Sequence, residues 1–429
     1  MSYTTPEEKP VIQVPFNLPF SNSLNFNEVI PTAFDDTSLF RGKYTALVHN
    51  FFKTYFDAPE VVPTASCTNA LELAALLLDI KKGDEVILPA YTYVSTANAF
   101  ELRGAKLRLC DSLNTSPNID LNKIESLITP RTKAIVVIHY GGVSVNMYKL
   151  QAIAQQYKIA LVEDAAHAID AYYDGKRLGT FGDLATFSFH ETKNITSGGQ
   201  GGLLVINNEQ YVGRARILRD CGTNRHNFYL GLVDKYTWVD VGSVYNLSEL
   251  SCSYLYPQLL HLGTITRKRL QLWNNYYEAL RIFQENGYLK LPFVSDLNEH
   301  NAHIFYITLN SQTERDRLLK YLKERSVAAT FHYCGLHQCP YYQRRYPKVE
   351  LANAEKFSGR LLRLPLYYDL SLEQQQYVLE CIGEFFAAAK TKNHKKTSLA
   401  LPFFPLLNFS FSDQSLLFNI VYDMIGSIG

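Results

Sequence analysis

From about residue 60 onward the chain alternates short, almost continuously apolar runs with stretches of helical spacing, and this alternation constrains the fold more than any other feature. SCTNALELAALLLD, residues 66–79, carries apolar residues at helical intervals behind a Ser/Thr start, and GDEVILPAYTYV then reads as a strand ending in a loop. AKLRLCD is a second strand, LNKIESLIT a helix, and TKAIVVIHYGG a β-branched strand that breaks at Gly141 and Gly142. YKLQAIAQQYK is again helical. IALVEDAAHAID is another buried strand, with Glu163 and Asp164 at its carboxyl end. Strands apolar along their whole length and joined by helices imply an α/β fold with a largely parallel sheet covered on both faces. Such sheets bind ligands in the crevice outside the carboxyl ends of their strands.

The texture changes near residue 250. LHLGTITRKRLQLWNNYYEALRIFQ is a long helix, followed by mixed strands and helices: AHIFYITL, RDRLLKYLKERSV and EQQQYVLECIGEFFAAA. The reading is therefore a large α/β domain over residues 1–250, a smaller α+β domain over 251–390 and an atypical tail over 391–429. In that tail a basic patch, KTKNHKK, precedes apolar runs whose prolines and polar residues keep them shorter than the ~20 residues of a membrane span, so no integral span is expected.

Composition excludes several function classes. Basic residues number 42 against 41 acidic ones, and a net charge of +1 offers no field to hold a polyanion, so nucleic acid is not an expected partner. Seven cysteines contain no CxxC pair. Cys334 and Cys339 lie near His332 and His337 at a spacing that matches no standard zinc set, so no metal is expected and the thiols read as free. MSYTTPEEKP lacks the basic and apolar regions of a secretory signal, which points to a cytoplasmic location. No GxGxxG or GxxxxGK[ST] follows any of the strands.

The crevice end of the sheet gathers chemistry instead. FSFHETKNITSGGQGG, residues 187–202, holds Lys193 between a buried strand and a glycine cluster, although an ammonium is costly to bury. Asp164 ends a neighbouring strand, and Ser66, Cys67 and Thr68 open a helix whose first amides point outward with partial positive charge. An amine, an acid, an anion cradle and a flat surface at Tyr93 together suit pyridoxal 5′-phosphate, which needs a lysine for its aldehyde, an anion at its ring nitrogen and donors for its phosphate. Each residue also has an ordinary reading: Asp164 or Thr68 as a helix N-cap, Tyr93 as core packing, His167 as a satisfied core histidine.

VEDAAHAIDA followed by FSFHETKNITSGGQGG resembles the DegT/DnrJ/EryC1/StrS family of pyridoxal-phosphate-dependent sugar aminotransferases, over a stretch from about Val14 to about Phe386. The resemblance implies an aspartate-aminotransferase-like fold (PLP fold type I), with a mostly parallel seven-stranded sheet and a smaller α+β C-terminal domain. It implies that Lys193 carries the cofactor and shuttles the proton, and that Asp164 partners the ring nitrogen. Tyr93 would stack on the ring and His167 lie against it. Cys67, Thr68 and Ser188 would hold the phosphate, and Asn194 would shape the wall beside the lysine. His332 and Tyr333 would border the substrate pocket, with Arg225, Lys235 and Tyr236 as nucleotide-sugar contacts that reach a neighbouring subunit's pocket.

Further blocks, among them GTNRHNFYLGLVDKYTWVDVGS and FHYCGLHQCP, are similar to family members that act on a dTDP-linked keto sugar. The resemblance thus implies transfer from L-glutamate to the C4 ketone of dTDP-4-keto-6-deoxyglucose, giving dTDP-4-amino-4,6-dideoxygalactose, by a homodimer with shared active sites. A 3-keto or gluco-configured substrate, or a cofactor-binding scaffold without turnover, are the alternatives. The chain departs from the family pattern at Gln200, where much of the family has Glu, at Val244, where it often has Asn, and in its C-terminal tail.

Overall fold

In a computed structural model, residues 12–20 and 42–393 are described. The polar N-terminal decapeptide and nearly all of the atypical tail lie outside them. The chain divides near residue 382 into a large compact unit and a short C-terminal one, and both sheets and the crevice described below belong to the first.

Seven strands form the main sheet: β1 (Glu60–Thr64), β2 (Glu85–Pro89), β3 (Lys106–Cys110), β4 (Thr132–Ile138), β5 (Ala160–Asp164), β6 (Leu184–Ser188) and β7 (Gly202–Ile206). Their spatial order is β1-β7-β6-β5-β4-β2-β3. All neighbouring pairs from β6 to β3 are parallel, whereas β7 runs antiparallel to both β6 and β1. This is the mostly parallel α/β sheet that the alternation of apolar runs and helices implies.

Alternate residues of one strand enter opposite layers, which is why these strands read as unbroken apolar runs. Ile135 and Val137 of β4 join a core with Val48 and Phe52 of α1 (Lys43–Phe56), while Ala134 and Val136 join another with Leu71 and Ala75 of α2 (Cys67–Leu77). Helix α2 is apolar on nearly every side, and seven of its eleven residues are buried. Its seat depends on one glycine: a Cβ at Gly202 would collide with the backbone of Ser66 and Cys67, so the start of β7 and the start of α2 touch only because that side chain is absent.

A second, antiparallel sheet contains Leu289–Lys290, β8 (Phe305–Leu309) and β9 (Leu361–Leu364). The chain leading into β8 is fixed by the long helix Leu262–Glu285. Its buried Arg269 donates to the carbonyls of Ala302, His303 and Leu366 at 3.1, 2.8 and 3.2 Å, and Trp273 donates to Ile304 at 3.1 Å. Among the described residues no helix is long and apolar enough to cross a membrane and no group of His, Cys, Asp and Glu is arranged to hold a metal. Among the described residues no disulfide joins any of the cysteines.

Candidate active site

The turn from β6 back to β7 brings Lys193 to the crevice. Because β7 returns antiparallel, no crossover helix intervenes, and residues 189–201 fold as a loop over the carboxyl end of β6. Phe189 donates to Gly201 and Glu191 to Gly199, at 2.8 and 2.9 Å, and the buried Gln258 clamps Thr196 from both sides, accepting from its amide at 3.0 Å and donating to its carbonyl at 2.6 Å. The lysine thus stands on a tied-down loop.

Among the described residues the Lys193 Nζ makes no hydrogen bond or salt bridge. Burial in the crevice lowers its pKa from 10.5 to about 8, the Cys67 thiol and Asp164 opposing that shift and the Arg363 guanidinium adding to it. Asp164, at the end of β5, lines the same cavity, of about 610 Å³. Its carboxylate accepts from the Thr96 hydroxyl at 2.7 Å and the Ala166 amide at 3.2 Å, and burial nonetheless pushes its pKa up. Its neighbour Glu163 points to the opposite face, as adjacent strand residues must. There it accepts from the amides of Gly179, Phe181 and Gly182 and pairs with His139 at 2.8 Å.

Ser66 is the N-cap of α2, accepting from the Asn69 amide at 3.1 Å. That leaves Thr68 inside the first turn, not at the cap, and leaves the amides of Cys67 and Thr68 without an acceptor among the described residues. The Thr68 hydroxyl meets that of Ser95 at 2.8 Å, and Ser188, buried at the end of β6, lines the same cavity. Tyr93 is 58% exposed and faces the cavity, so it does not pack in the core.

The far wall is built from aromatic rings. His167 accepts from the Gly141 amide through Nδ1 at 3.3 Å, which leaves its ring proton on Nε2, facing the Tyr333 hydroxyl at 3.4 Å. Its ring centroid lies 4.3 Å from that of His303 and 5.8 Å from that of His332. Burial pushes the pKa of all three imidazoles well below the usual histidine range, so they are neutral at pH 7. Tyr333 has φ of 50°, a left-handed backbone that a bulky residue rarely adopts, and such outliers concentrate where a site imposes a geometry.

The crevice therefore gathers Cys67, Thr68, Tyr93, Asp164, His167, Ser188, Lys193, His332 and Tyr333, together with Gln200. Asn194 stands behind it: buried, it donates to the Asn301 carbonyl at 3.0 Å and accepts from His303 Nδ1 at 2.9 Å. Arg225, Lys235 and Tyr236 do not line it; they lie on an exposed excursion where the Arg225 guanidinium stacks 4.8 Å from the Tyr236 ring. Val244 is exposed on the same excursion. Among the lining residues left without a role by the sequence are Thr96, His303 and Arg363. A cation inside the apolar run LLRLPLYY was the available signal for Arg363.

The donor set fits pyridoxal phosphate. A buried carboxylate whose charge burial disfavours gains a counter-ion from a cationic ring nitrogen, two amides left open at a helix start accommodate a phosphate, and an amine with lowered pKa and no partner among the described residues accommodates an aldehyde. A wider depression of about 800 Å³ at the opposite end of the sheet, lined by Lys133, Ala160 and Asp183, contains none of these groups.

The chain is similar to known aminotransferases in sequence and in fold. The sequence model of the DegT/DnrJ/EryC1/StrS aminotransferase family matches residues 23–383. The fold is similar to that of the aminotransferase TlmJ from Streptoalloteichus hindustanus (26% identity, 88% of this chain, 100% of that one, TM-score 0.81). It is similar also to DesV from S. venezuelae, solved with a ketimine intermediate (28%, 87% and 98%, TM-score 0.79). The sugar aminotransferase Spr1654 of Streptococcus pneumoniae, described as putative and solved in its PMP form, shares the fold at 22% identity over 88% of this chain and 100% of that one, with a TM-score of 0.81.

Proposed function

We propose, on the premise that the chain belongs to the DegT/DnrJ/EryC1/StrS aminotransferase family, that it moves an amino group from L-glutamate to the C4 ketone of a dTDP-linked 4-keto-6-deoxy sugar. The product is the galacto-configured amine, dTDP-4-amino-4,6-dideoxygalactose. The observation that carries the reading is the pairing in one cavity of a partnerless, pKa-lowered Lys193 amine with the buried carboxyl of Asp164.

The family depends on pyridoxal phosphate, which supplies the electron sink that makes the proton beside the transferred nitrogen removable. Lys193 holds and returns that proton at Nζ, a task for which a pKa near the working pH is best suited. Asp164 would hold a negative charge against the ring nitrogen, with Thr96 fixing its rotamer. The amides of Cys67 and Thr68 and the hydroxyls of Thr68 and Ser188 would bind the phosphate, and Tyr93 and His167 would lie against the ring. Asn194 acts at one remove, by orienting His303. His332 and Tyr333 close the substrate side and exclude water.

The molecule works in this reading as a two-fold dimer. Tyr229, Leu232 and Trp238 are 64, 68 and 77% exposed, large apolar side chains that a second copy of the chain would cover, and Arg225, Lys235 and Tyr236 on the same excursion would serve the partner's crevice. Incubating the cofactor-loaded protein with L-glutamate and dTDP-4-keto-6-deoxyglucose should give a C4 amine with an axial nitrogen by NMR. An equatorial amine, or amination only of a 3-keto sugar, contradicts the substrate assignment; a cofactor that L-glutamate never alters contradicts the aminotransferase reading itself.

A further inference from the structure

Two arginines sit near one another beside the second sheet, Arg269 buried and Arg363 half-buried, and they are satisfied differently. Arg269 spends its guanidinium on three backbone carbonyls and is a structural cross-link. Arg363, on β9, has no such set. Its backbone is held by Thr330 on one side, at 2.8 and 3.1 Å, and pairs with Tyr306 on the other, so the side chain is projected from a fixed point. Its Nη1 reaches His332 Nε2 at 3.3 Å, while its Nε is buried with no hydrogen-bond partner. The Phe16 ring lies 4.8 Å from the guanidinium carbon, and no carboxylate pairs with it among the described residues. A guanidinium cannot shed its charge, so a partly buried one without a counter-ion is expensive unless a ligand supplies the anion.

The surroundings say which anion. Arg363 lines the Lys193 cavity, and the groups around it are neutral: His332, whose ring proton is directed to the Tyr140 hydroxyl at 2.8 Å, with Tyr333 and Tyr91. A planar fork with free donors matches a carboxylate. In an α-amino acid the carboxylate is bonded to the carbon that bears the amine, so a donor whose nitrogen is delivered near Lys193 brings its carboxylate within the same small space. The diphosphate of a nucleotide sugar lies across the sugar ring from a C4 ketone and would be held farther out. We propose that Arg363 is the anchor for a carboxylate of the amino-acid donor. The inference rests on the aminotransferase reading and names the residue that recognises the donor.

Two measurements test it. In the first, the cofactor-loaded protein is titrated with L-glutamate and the change in its visible absorbance followed, for wild type, Arg363→Gln and Arg363→Lys. The half-saturating L-glutamate concentration should rise roughly ten- to a hundredfold in the Gln variant, the usual effect of removing a charged hydrogen-bond partner, and less in the Lys variant. The dependence of the second half-reaction on the keto sugar should not move. An unchanged L-glutamate titration overturns the inference, and so does a shift confined to the keto sugar, which would assign the guanidinium to the diphosphate. In the second, calorimetry on the wild-type protein compares glutarate with its diamide, glutaramide, neither of which can react. Glutarate should bind at least tenfold more tightly, and equal binding overturns the inference whether or not the Gln variant folds. A wild-type protein that binds glutarate selectively yet never converts L-glutamate keeps the anchor and refutes the proposed function.

Discussion

The crevice and the excursion over residues 222–244 offer opposite answers to where a side chain finds its partners. In the crevice nearly every polar group is placed by the chain itself: Asp164 by Thr96, His167 by Gly141, His332 by Tyr140, Asn194 by Asn301. On the excursion Tyr229 and Trp238 are largely exposed, and the Arg225 guanidinium stacks on the Tyr236 ring. A site that must act on charge needs preorganised surroundings, which a parallel sheet supplies at its strand ends. A surface that a second copy of the chain would complete, as proposed for the excursion, needs the reverse.

The sharpest way to separate the two regions is to remove the amine. Lys193→Ala should lower kcat by about 10⁴-fold, the upper end of what one acid–base group contributes, and leave the sedimentation behaviour of the protein unaltered. A companion experiment reads its protonation directly. Acylation of Lys193 in cofactor-free protein should rise with pH through a midpoint of about 8, because the amine holds its proton below that value; a midpoint at 10.5 would mean an ordinary surface lysine. Asp164→Asn comes next, with about 10²–10³-fold lower turnover and retained cofactor, as expected for loss of one fixed charge; unchanged kcat would move the ring-nitrogen partner elsewhere.

Trp238→Ala probes the other region. It should weaken the dimer by about 30-fold or more in analytical ultracentrifugation, the size of an interface hot spot, while the melting of the isolated chain stays the same. A monomeric wild type would break the comparison altogether. Gly202→Ala should cost about 2 kcal/mol in denaturant unfolding, because a Cβ there meets the backbone of Ser66 and Cys67. The smallest effect is Ser66→Ala, about 1 kcal/mol for a lost N-cap, with weaker cofactor binding as the two amides beside it lose their fixed direction.

The same contrast explains what could be read from the sequence. Asp164 and Lys193 were legible because the first ends a buried strand and the second follows one, so both reach the same end of the sheet. The largely parallel α/β sheet followed from the same runs, and its count of seven strands from the family resemblance. The helix start before CTNALELAALL was legible, but not which residue caps it: Ser66 and Thr68 carry the same hydroxyl, and only the backbone turn at Ser66 separates them. Thr96, His303 and Arg363 escaped because their partners lie far away in sequence. Arg363 meets His332 across 31 positions and Thr96 meets Asp164 across 68, and no local period reports such pairs. Tyr93 carried an ordinary reading, core packing, that only its exposure could remove.

The account turns on whether the amine of Lys193 and the carboxyl of Asp164 face one bound cofactor. Its most direct test is the visible absorption spectrum of the purified, cofactor-loaded protein before and after adding L-glutamate alone, run beside Lys193→Ala. The account predicts a band that L-glutamate removes in the wild type, and a variant whose spectrum differs from the start and does not respond. A variant that starts with the wild-type band and loses it to L-glutamate at the wild-type rate would contradict it.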